Sequence, residues 1–113
     1  MRASPISQVE VEQEILRLTD MLETETENFE TLAQDAAVKE ANLKSSWAKE
    51  YLSAKGSIKE REAWADYKLQ DPLMQHKISE ALVKSKREKL HSLRTSIDAL
   101  RTLAANVRAQ TMP

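Results

Sequence analysis

The sequence predicts an all-α protein that forms a long antiparallel helical hairpin and assembles into a helical homo-oligomer. Apolar residues recur at steps of three and four along most of the chain, which is the spacing of one helix face. The only glycine of the 113 residues, Gly56, stands almost at the middle and suits a turn between two arms. With a single glycine and no cysteine, the composition excludes phosphate-cradling loops, disulfide frameworks and thiolate sites.

The first arm is predicted over about residues 8–55. Ser7 and Glu10 have the Ser-x-x-Glu spacing of a capping box, so the helix is expected to begin near residue 8. A charged residue, Glu25, takes one position of the apolar stripe. The other positions of this stripe are Val11, Ile15, Leu18, Leu22, Phe29, Leu32, Ala36, Leu43 and Trp47.

The second arm is predicted over about residues 58–109, after a turn at residues 56–57. Ser57 begins a second Ser-x-x-Glu box directly after the glycine. Asp71-Pro72 predicts a kink or short interruption within this arm, because proline lacks the backbone N–H that a helix interior needs. The apolar stripe, which Lys86 interrupts, consists of Ile78, Leu82, Leu90, Leu93, Ile97, Leu100, Ala104 and Val107.

Both arms together are predicted to form a single helical domain, residues 1–113. Two paired helices of about 50 residues each cannot bury much of their own surface, because each helix has only one neighbour. Apolar side chains beside the stripes need cover as well, and self-association would supply it; the number of subunits stays open. These flanking residues are Leu16, Met21, Leu52, Leu69, Leu73, Met74, Val83 and Leu103.

The net charge of −1 conceals an uneven distribution along the chain. Residues 1–38 carry nine acidic and two basic residues, a net charge of −7. Residues 39–70 carry a net charge of +2, and residues 71–113 a net charge of +4. This distribution indicates either two halves that pair with each other or a basic end that meets a polyanion, and both interpretations remain open.

Four of the five aromatic residues lie between residues 47 and 67, interleaved with basic residues. Cations that follow phosphates and rings that stack on bases are the combination by which proteins bind single-stranded nucleic acid. The alternative is structural: Trp47 and Trp64 pack together as the closing core of the hairpin, and the basic residues form a solvated tip. The candidate nucleic-acid-binding residues are Trp47, Lys49, Tyr51, Lys55, Lys59, Arg61 and Lys68.

A second basic stripe is predicted on one face of the second arm. Its residues follow helical steps beside the apolar stripe, and in an antiparallel hairpin they lie along the acidic first arm. They are therefore interpreted either as salt-bridge partners of that arm or as a second set of phosphate contacts. The stripe consists of Lys84, Arg87, His91, Arg94, Arg101 and Arg108.

Catalysis and metal binding find little support in the sequence. Glu88 and His91 match the Glu-x-x-His spacing of di-iron helical bundles, but such a site needs a second motif and further glutamates. We interpret the pair as solvated, and we expect no catalytic residue, no metal and no cofactor. No apolar run reaches the roughly 20 residues of a membrane span, and the first residues lack the apolar core of a signal peptide. A cytoplasmic protein without membrane contact is expected.

The segment around the turn reads Lys49-Glu-Tyr-Leu-Ser-Ala-Lys-Gly-Ser-Ile-Lys-Glu-Arg-Glu62, between long charged helices. Together with the Leu-Arg-x-x-Ile-Asp-x-Leu pattern at residues 93–100, it resembles the UvsY family of recombination mediators of T-even phages. It is also similar to small helical proteins that tailed phages encode beside their recombination genes. The resemblance covers about residues 45–108. The positions that it implies for DNA contact are Lys55, Lys59, Arg61 and Lys49.

The resemblance implies rings of helical protomers that bind single-stranded DNA and help a recombinase or annealing protein to replace single-strand-binding protein. A phage recombination mediator in the host cytoplasm is thus the leading expectation. The alternative is a coiled-coil adaptor, or a phage inhibitor that mimics DNA with its acidic arm. An exposed basic rim favours the mediator, and an exposed acidic stripe favours the mimic. That acidic stripe would be Glu12, Glu23, Glu27 and Glu30.

Overall fold

A computed structural model describes residues 6–111 of the chain, which form three α-helices. Helix α1 spans Gln8–Ser53, α2 spans Ile58–Lys68 and α3 spans Gln70–Thr111. No strand occurs in the described part of the chain. Helix α1 forms the first arm of a helical hairpin, and α2 and α3 form the second, so the predicted all-α hairpin is confirmed. The predicted single domain also includes residues 1–5 and 112–113, which lie outside the described residues.

The two helix starts follow the serine signals. The Ser7 hydroxyl accepts a hydrogen bond from the Glu10 backbone N–H at 3.3 Å, and the Ser57 hydroxyl accepts one from the Glu60 N–H at 3.2 Å. In each case one of the N–H groups that a helix start leaves without a partner is satisfied.

The connection between the arms is longer than predicted. Helix α1 ends at Ser53 rather than near residue 55, and residues 54–57 join it to α2. Gly56 therefore does not end the helix directly; it lies within the connection, with φ at 118°. Glycine suits this position because a side chain disfavours positive φ, and here the chain reverses its direction.

The second arm is interrupted at Leu69, the single residue between α2 and α3. The Leu69 N–H still donates to the Ala65 carbonyl at 3.1 Å, and the Leu69 carbonyl accepts from the Leu73 N–H at 2.9 Å. Pro72 has no N–H to offer the carbonyl four residues before it, which is that of Lys68, the last residue of α2. The interruption predicted from Asp71-Pro72 thus lies three residues before the proline itself.

The described part of the chain divides into two compact units, one formed by residues 6–28 with 86–111 and the other by residues 29–85. In the first unit, the beginning of α1 packs antiparallel on the later part of α3. Its core is a cluster of Leu18, Leu93 and Ile97. The side chains packed against this cluster are Met21, Leu22 and Leu100, and further buried residues are Val11, Leu90, Ala104 and Val107.

The second unit comprises the end of α1, all of α2 and the beginning of α3. Here the predicted apolar stripe of the second arm is wrong, because Ile78 and Leu82 are 46% and 49% exposed. Ser79 occupies the interior instead and is only 3% exposed. The residues of this arm that face α1 include polar side chains, so a pattern built from apolar residues alone selects the neighbouring face. The half-buried residues between residues 69 and 85 are Leu69, Leu73, His76 and Val83.

Candidate nucleic-acid interface

The seven predicted nucleic-acid-binding residues all lie in the second unit, at residues 47–68, which we call the hairpin end. The last two turns of α1 carry Trp47, Lys49 and Tyr51, and the connection carries Lys55. Helix α2 supplies the other basic residues. The four lysines are exposed, whereas Trp47, Tyr51 and Arg61 are half-buried.

Two tryptophans join the arms at the hairpin end. The Trp47 indole N–H donates to the Asp66 carboxylate at 2.9 Å, and the Trp64 indole N–H donates to the Glu50 carboxylate at 3.1 Å. Each bond connects α1 with α2, and the two run in opposite directions between the helices. Each tryptophan thus bonds a carboxylate on the opposite helix, and the two bonds close the hairpin. The predicted closing core, in which Trp47 and Trp64 pack together, did not include these carboxylates.

The rings also contact other side chains, both on their own helix and on the facing one. Trp47 stacks on Tyr51 with ring centroids 5.3 Å apart and planes 13° apart. Trp64 lies 6.2 Å from Tyr67 in a tilted arrangement. Arg61 stands over the Tyr51 ring at 5.7 Å. Of the four rings, Tyr67 is the most exposed at 66%, although the predicted set did not contain it.

The basic residues of the hairpin end have no carboxylate partner among the described residues. Lys49, Lys55 and Lys59 form no ion pair there, and Lys68 stands over the Trp64 ring at 5.1 Å. The Nε of Arg61 is buried without a hydrogen-bond partner. Elsewhere in the described part of the chain, several cations do have a carboxylate within 4.0 Å; they include Arg17, Lys39, Lys44, Lys86, Lys89 and Arg101.

The hairpin end also carries four carboxylates. Glu50 and Asp66 accept the indole bonds, and the Glu60 side chain lies against the backbone at Gly56. Glu62 is exposed. Two of the four acidic side chains, Glu50 and Asp66, thus bond the facing helix rather than a lysine.

The second basic stripe divides between the two units, because Lys84 belongs to one and the remaining positions belong to the other. All six positions of the stripe are exposed. Arg101 pairs with Asp98 on its own helix at 3.7 Å, and Arg87 has an interaction partner as well. Lys84 and Arg94 form no ion pair with the described residues.

The charged residues that interrupt the two apolar stripes contact each other, which the sequence reasoning did not predict. Lys86 and Lys89 donate to the two oxygens of Glu25 at 2.5 and 3.2 Å. The hydrogen bond from Lys86, and after it that from Lys89, holds the pKa of the Glu25 carboxyl below its ordinary value. The sequence does contain a sign of this contact, because Glu25 and Lys86 stand almost equally far from Gly56 along the chain and so lie opposite each other in an antiparallel hairpin.

Polar contacts also occur in the interior of the second unit. Lys39 donates to the buried Ser79 hydroxyl at 3.1 Å and pairs with Asp35 at 3.0 Å. His76, whose side chain is largely buried, lies 2.9 Å from Glu80. The described residues contain no group of three or more His, Asp or Glu side chains placed to hold a metal ion. None of the helices in residues 6–111 has the length and apolar character that crossing a membrane requires.

No family model matches the chain, and neither a curated protein nor a solved structure matches it.

Proposed function

We propose that the protein binds single-stranded DNA through the hairpin end and acts as a recombination mediator. The observation that carries the proposal is the set of unpaired cations there. Lys49, Lys55 and Lys59 are exposed and form no ion pair with a carboxylate in the described part of the chain. A phosphate can therefore approach each ammonium group without displacing a protein anion, and released counterions favour binding.

The aromatic residues divide between two roles in this proposal. Trp47 and Tyr51 stack on each other and are half-buried, so their contribution is to hold the hairpin end in shape. Tyr67 offers the most exposed ring, and Trp64 is 42% exposed. A base that stacks on Tyr67 lies within the same unit as the unpaired lysines.

The mediator role rests on the resemblance of the turn segment to the UvsY family and on the expected self-association. Single contacts between an ammonium group and a phosphate are weak at physiological salt. Several hairpin ends in one assembly multiply them, because the second contact becomes intramolecular. A protein that holds the strand in this way would present it to a recombinase or annealing protein and assist the removal of single-strand-binding protein.

The test is fluorescence anisotropy of a labelled oligothymidylate at a series of salt concentrations. Wild-type protein should bind at low salt and lose affinity steeply as salt rises. Replacing Lys49, Lys55 and Lys59 together by alanine should reduce the slope of log K against log salt by about 2, since each lost contact with a single strand removes about 0.7. Arg61 is kept, because it packs on Tyr51.

The matched control removes the same number of positive charges elsewhere. Replacing Arg17, Lys77 and Lys89 by alanine changes the net charge equally but leaves the hairpin end intact. This variant should keep a slope close to that of the wild type. Equal slopes for the two triple variants, or no binding by the wild type at low salt, would reject the proposed interface.

The DNA mimic remains a second candidate because the four glutamates predicted for its acidic stripe are all exposed on α1. They are Glu12, Glu23, Glu27 and Glu30. A mimic competes with DNA for a DNA-binding protein and does not itself bind DNA. The oligothymidylate measurement distinguishes the two candidates directly, because only the mediator retains the labelled strand.

A further inference from the structure

A small apolar pocket opens in the second unit beside the hairpin end, and the DNA-binding proposal does not use it. Its volume is about 270 Å³. Leucine side chains from both arms form much of its wall, including Leu69 at the interruption between α2 and α3. The six lining residues are Leu43, Lys44, Trp47, Asp66, Leu69 and Leu73, and we call this cavity the Leu69 pocket.

The two charged residues in the wall of the Leu69 pocket, Lys44 and Asp66, differ in their partners. The Lys44 ammonium pairs with Glu40 at 3.1 Å, so its charge is already compensated. The Asp66 carboxylate receives one hydrogen bond, from the Trp47 indole N–H to Oδ1, and faces no cation among the described residues. Glu62, one helical turn before Asp66, is exposed and has no ion-pair partner in the described part of the chain.

We propose that the Leu69 pocket binds a partner polypeptide that inserts one large apolar side chain and places a lysine or arginine next to it. The apolar wall fits a leucine or aromatic side chain, and the cation then meets Asp66. The pocket lies below the 300–1,000 Å³ range typical of small-molecule sites, whereas anchoring one side chain needs only a cleft of this size. The inference goes beyond DNA binding and shares only Trp47 with the predicted DNA-binding residues.

The indole N–H of Trp47 gives an NMR signal that can report a ligand bound in the Leu69 pocket of the intact chain. Its indole N–H is held by Asp66 in the pocket wall, whereas the indole N–H of Trp64 is held by Glu50 and does not line this pocket. A ligand in the Leu69 pocket should therefore shift the NMR signal of one indole and leave the other in place. A Trp64→Phe variant assigns the two signals.

The experiment uses three blocked dipeptides as probes with the ¹⁵N-labelled full chain and no DNA. Acetyl-Leu-Arg-amide carries both the anchor and the cation, acetyl-Leu-Glu-amide reverses the charge, and acetyl-Gly-Arg-amide lacks the anchor. The first should shift the Trp47 indole signal saturably. The second should bind about two- to fivefold more weakly, which is the range of one exposed ion pair. The third should leave the signal unchanged.

The charge is tested separately by Asp66→Asn, which keeps an oxygen acceptor for the Trp47 indole but removes the carboxylate. This variant should discriminate less between the Leu-Arg and Leu-Glu probes than the wild type does, because only Glu62 then remains as an unpaired carboxylate, while Asp20→Asn on an exposed turn of α1 should behave as the wild type. No saturable shift at Trp47, equal binding of the two leucine probes to the wild type, or an equal effect of the Gly-Arg probe would overturn the proposal. These comparisons use wild-type protein, so they do not depend on the folding of a variant or on DNA binding.

Discussion

Glu25 interrupts the apolar stripe of the first arm, and Lys86 interrupts that of the second. The ion pair between them stands in the first unit where an apolar contact would otherwise lie. Lys89 bonds the second oxygen of the same carboxylate. An ion pair that is partly buried, as this one is, is weak evidence for stability, because the loss of hydration offsets much of the attraction. Its clearest use is to specify register, since a shift along the helices would leave Glu25 among apolar side chains.

The lowered pKa of Glu25 gives this contact a pH dependence. A carboxyl with a lower pKa in the folded state than in the unfolded state adds stability above its unfolded pKa, near 4.3. That stability is lost as the pH falls through the folded-state value. Glu25→Gln should therefore lower Tm at pH 7, and the difference from the wild type should shrink as the pH falls below 4.

Thermal unfolding followed by circular dichroism measures this difference at each pH. Glu23→Gln is the matched control, because Glu23 is exposed and has no ion-pair partner among the described residues. It should leave Tm nearly unchanged throughout. A Glu25→Gln difference that stays constant from pH 7 to pH 3 would contradict the assignment of the stabilisation to the ionised carboxylate.

At the scale of elements, the connection between the arms depends on Gly56. Its φ of 118° disfavours any residue with a side chain, and an added Cβ would lie 2.7 Å from the Glu60 carboxylate. Gly56→Ala should lower the free energy of unfolding by about 1–3 kcal/mol, the cost of a residue held in a sparsely populated backbone region. Urea denaturation measures the loss.

A double variant separates the two causes of this loss. Gly56→Ala with Glu60→Ala removes the close contact but keeps the positive φ. The Glu60 side chain is flexible and can move aside, so we expect the positive φ to be the dominant cause. Gly56→Ala should therefore cost nearly the same free energy of unfolding in the Glu60→Ala background as in the wild type. If the double variant is as stable as Glu60→Ala alone, the close contact, and not the backbone conformation, explains the need for glycine.

Helix starts were predictable from the sequence because their signals are local. Ser7 and Ser57 need only the next few residues to act as caps, and both do so. The interior of the second arm was less predictable. His76 and Ser79 occupy positions that an apolar pattern skips. Ser79 is bonded by Lys39, which only the folded chain brings near, whereas the partner of His76 is Glu80 on the same helix.

In the candidate interface, too, local features were predictable from the sequence and contacts between helices were not. The clustering of its residues followed from their proximity to the turn in sequence, and all seven lie in one unit. The partners of each ring did not follow, because the bonds from Trp47 to Asp66 and from Trp64 to Glu50 depend on the register of two helices to within one residue. The exposure of Tyr67 depends on the same register.

At the scale of the whole molecule, exposed apolar side chains support the proposed self-association. Met74, Ile78 and Leu82 follow each other at steps of four on one face of α3, and all three are exposed. Ile78→Lys with Leu82→Lys should shift the protein toward a 12.9 kDa monomer by weakening association at least about tenfold, equivalent to about 1.4 kcal/mol. Sedimentation equilibrium measures the mass.

The control for this variant is Val38→Lys, since Val38 is exposed in the same unit but lies on α1. It should leave the mass of the assembly unchanged. A wild-type protein that sediments at 12.9 kDa at every concentration would contradict self-association, and the multiplied contacts of the mediator proposal would then lose their basis.

The position of bound DNA on the protein can be measured directly. An oligonucleotide carrying bromodeoxyuridine can be photo-crosslinked to the wild-type chain at low salt, and the attached residues can be identified by mass spectrometry. If the strand binds at the hairpin end, crosslinks should fall within residues 47–68, foremost at the exposed Tyr67, and should be lost at high salt. Crosslinks confined to residues 84–101, or a yield that salt does not change, would contradict binding at the hairpin end.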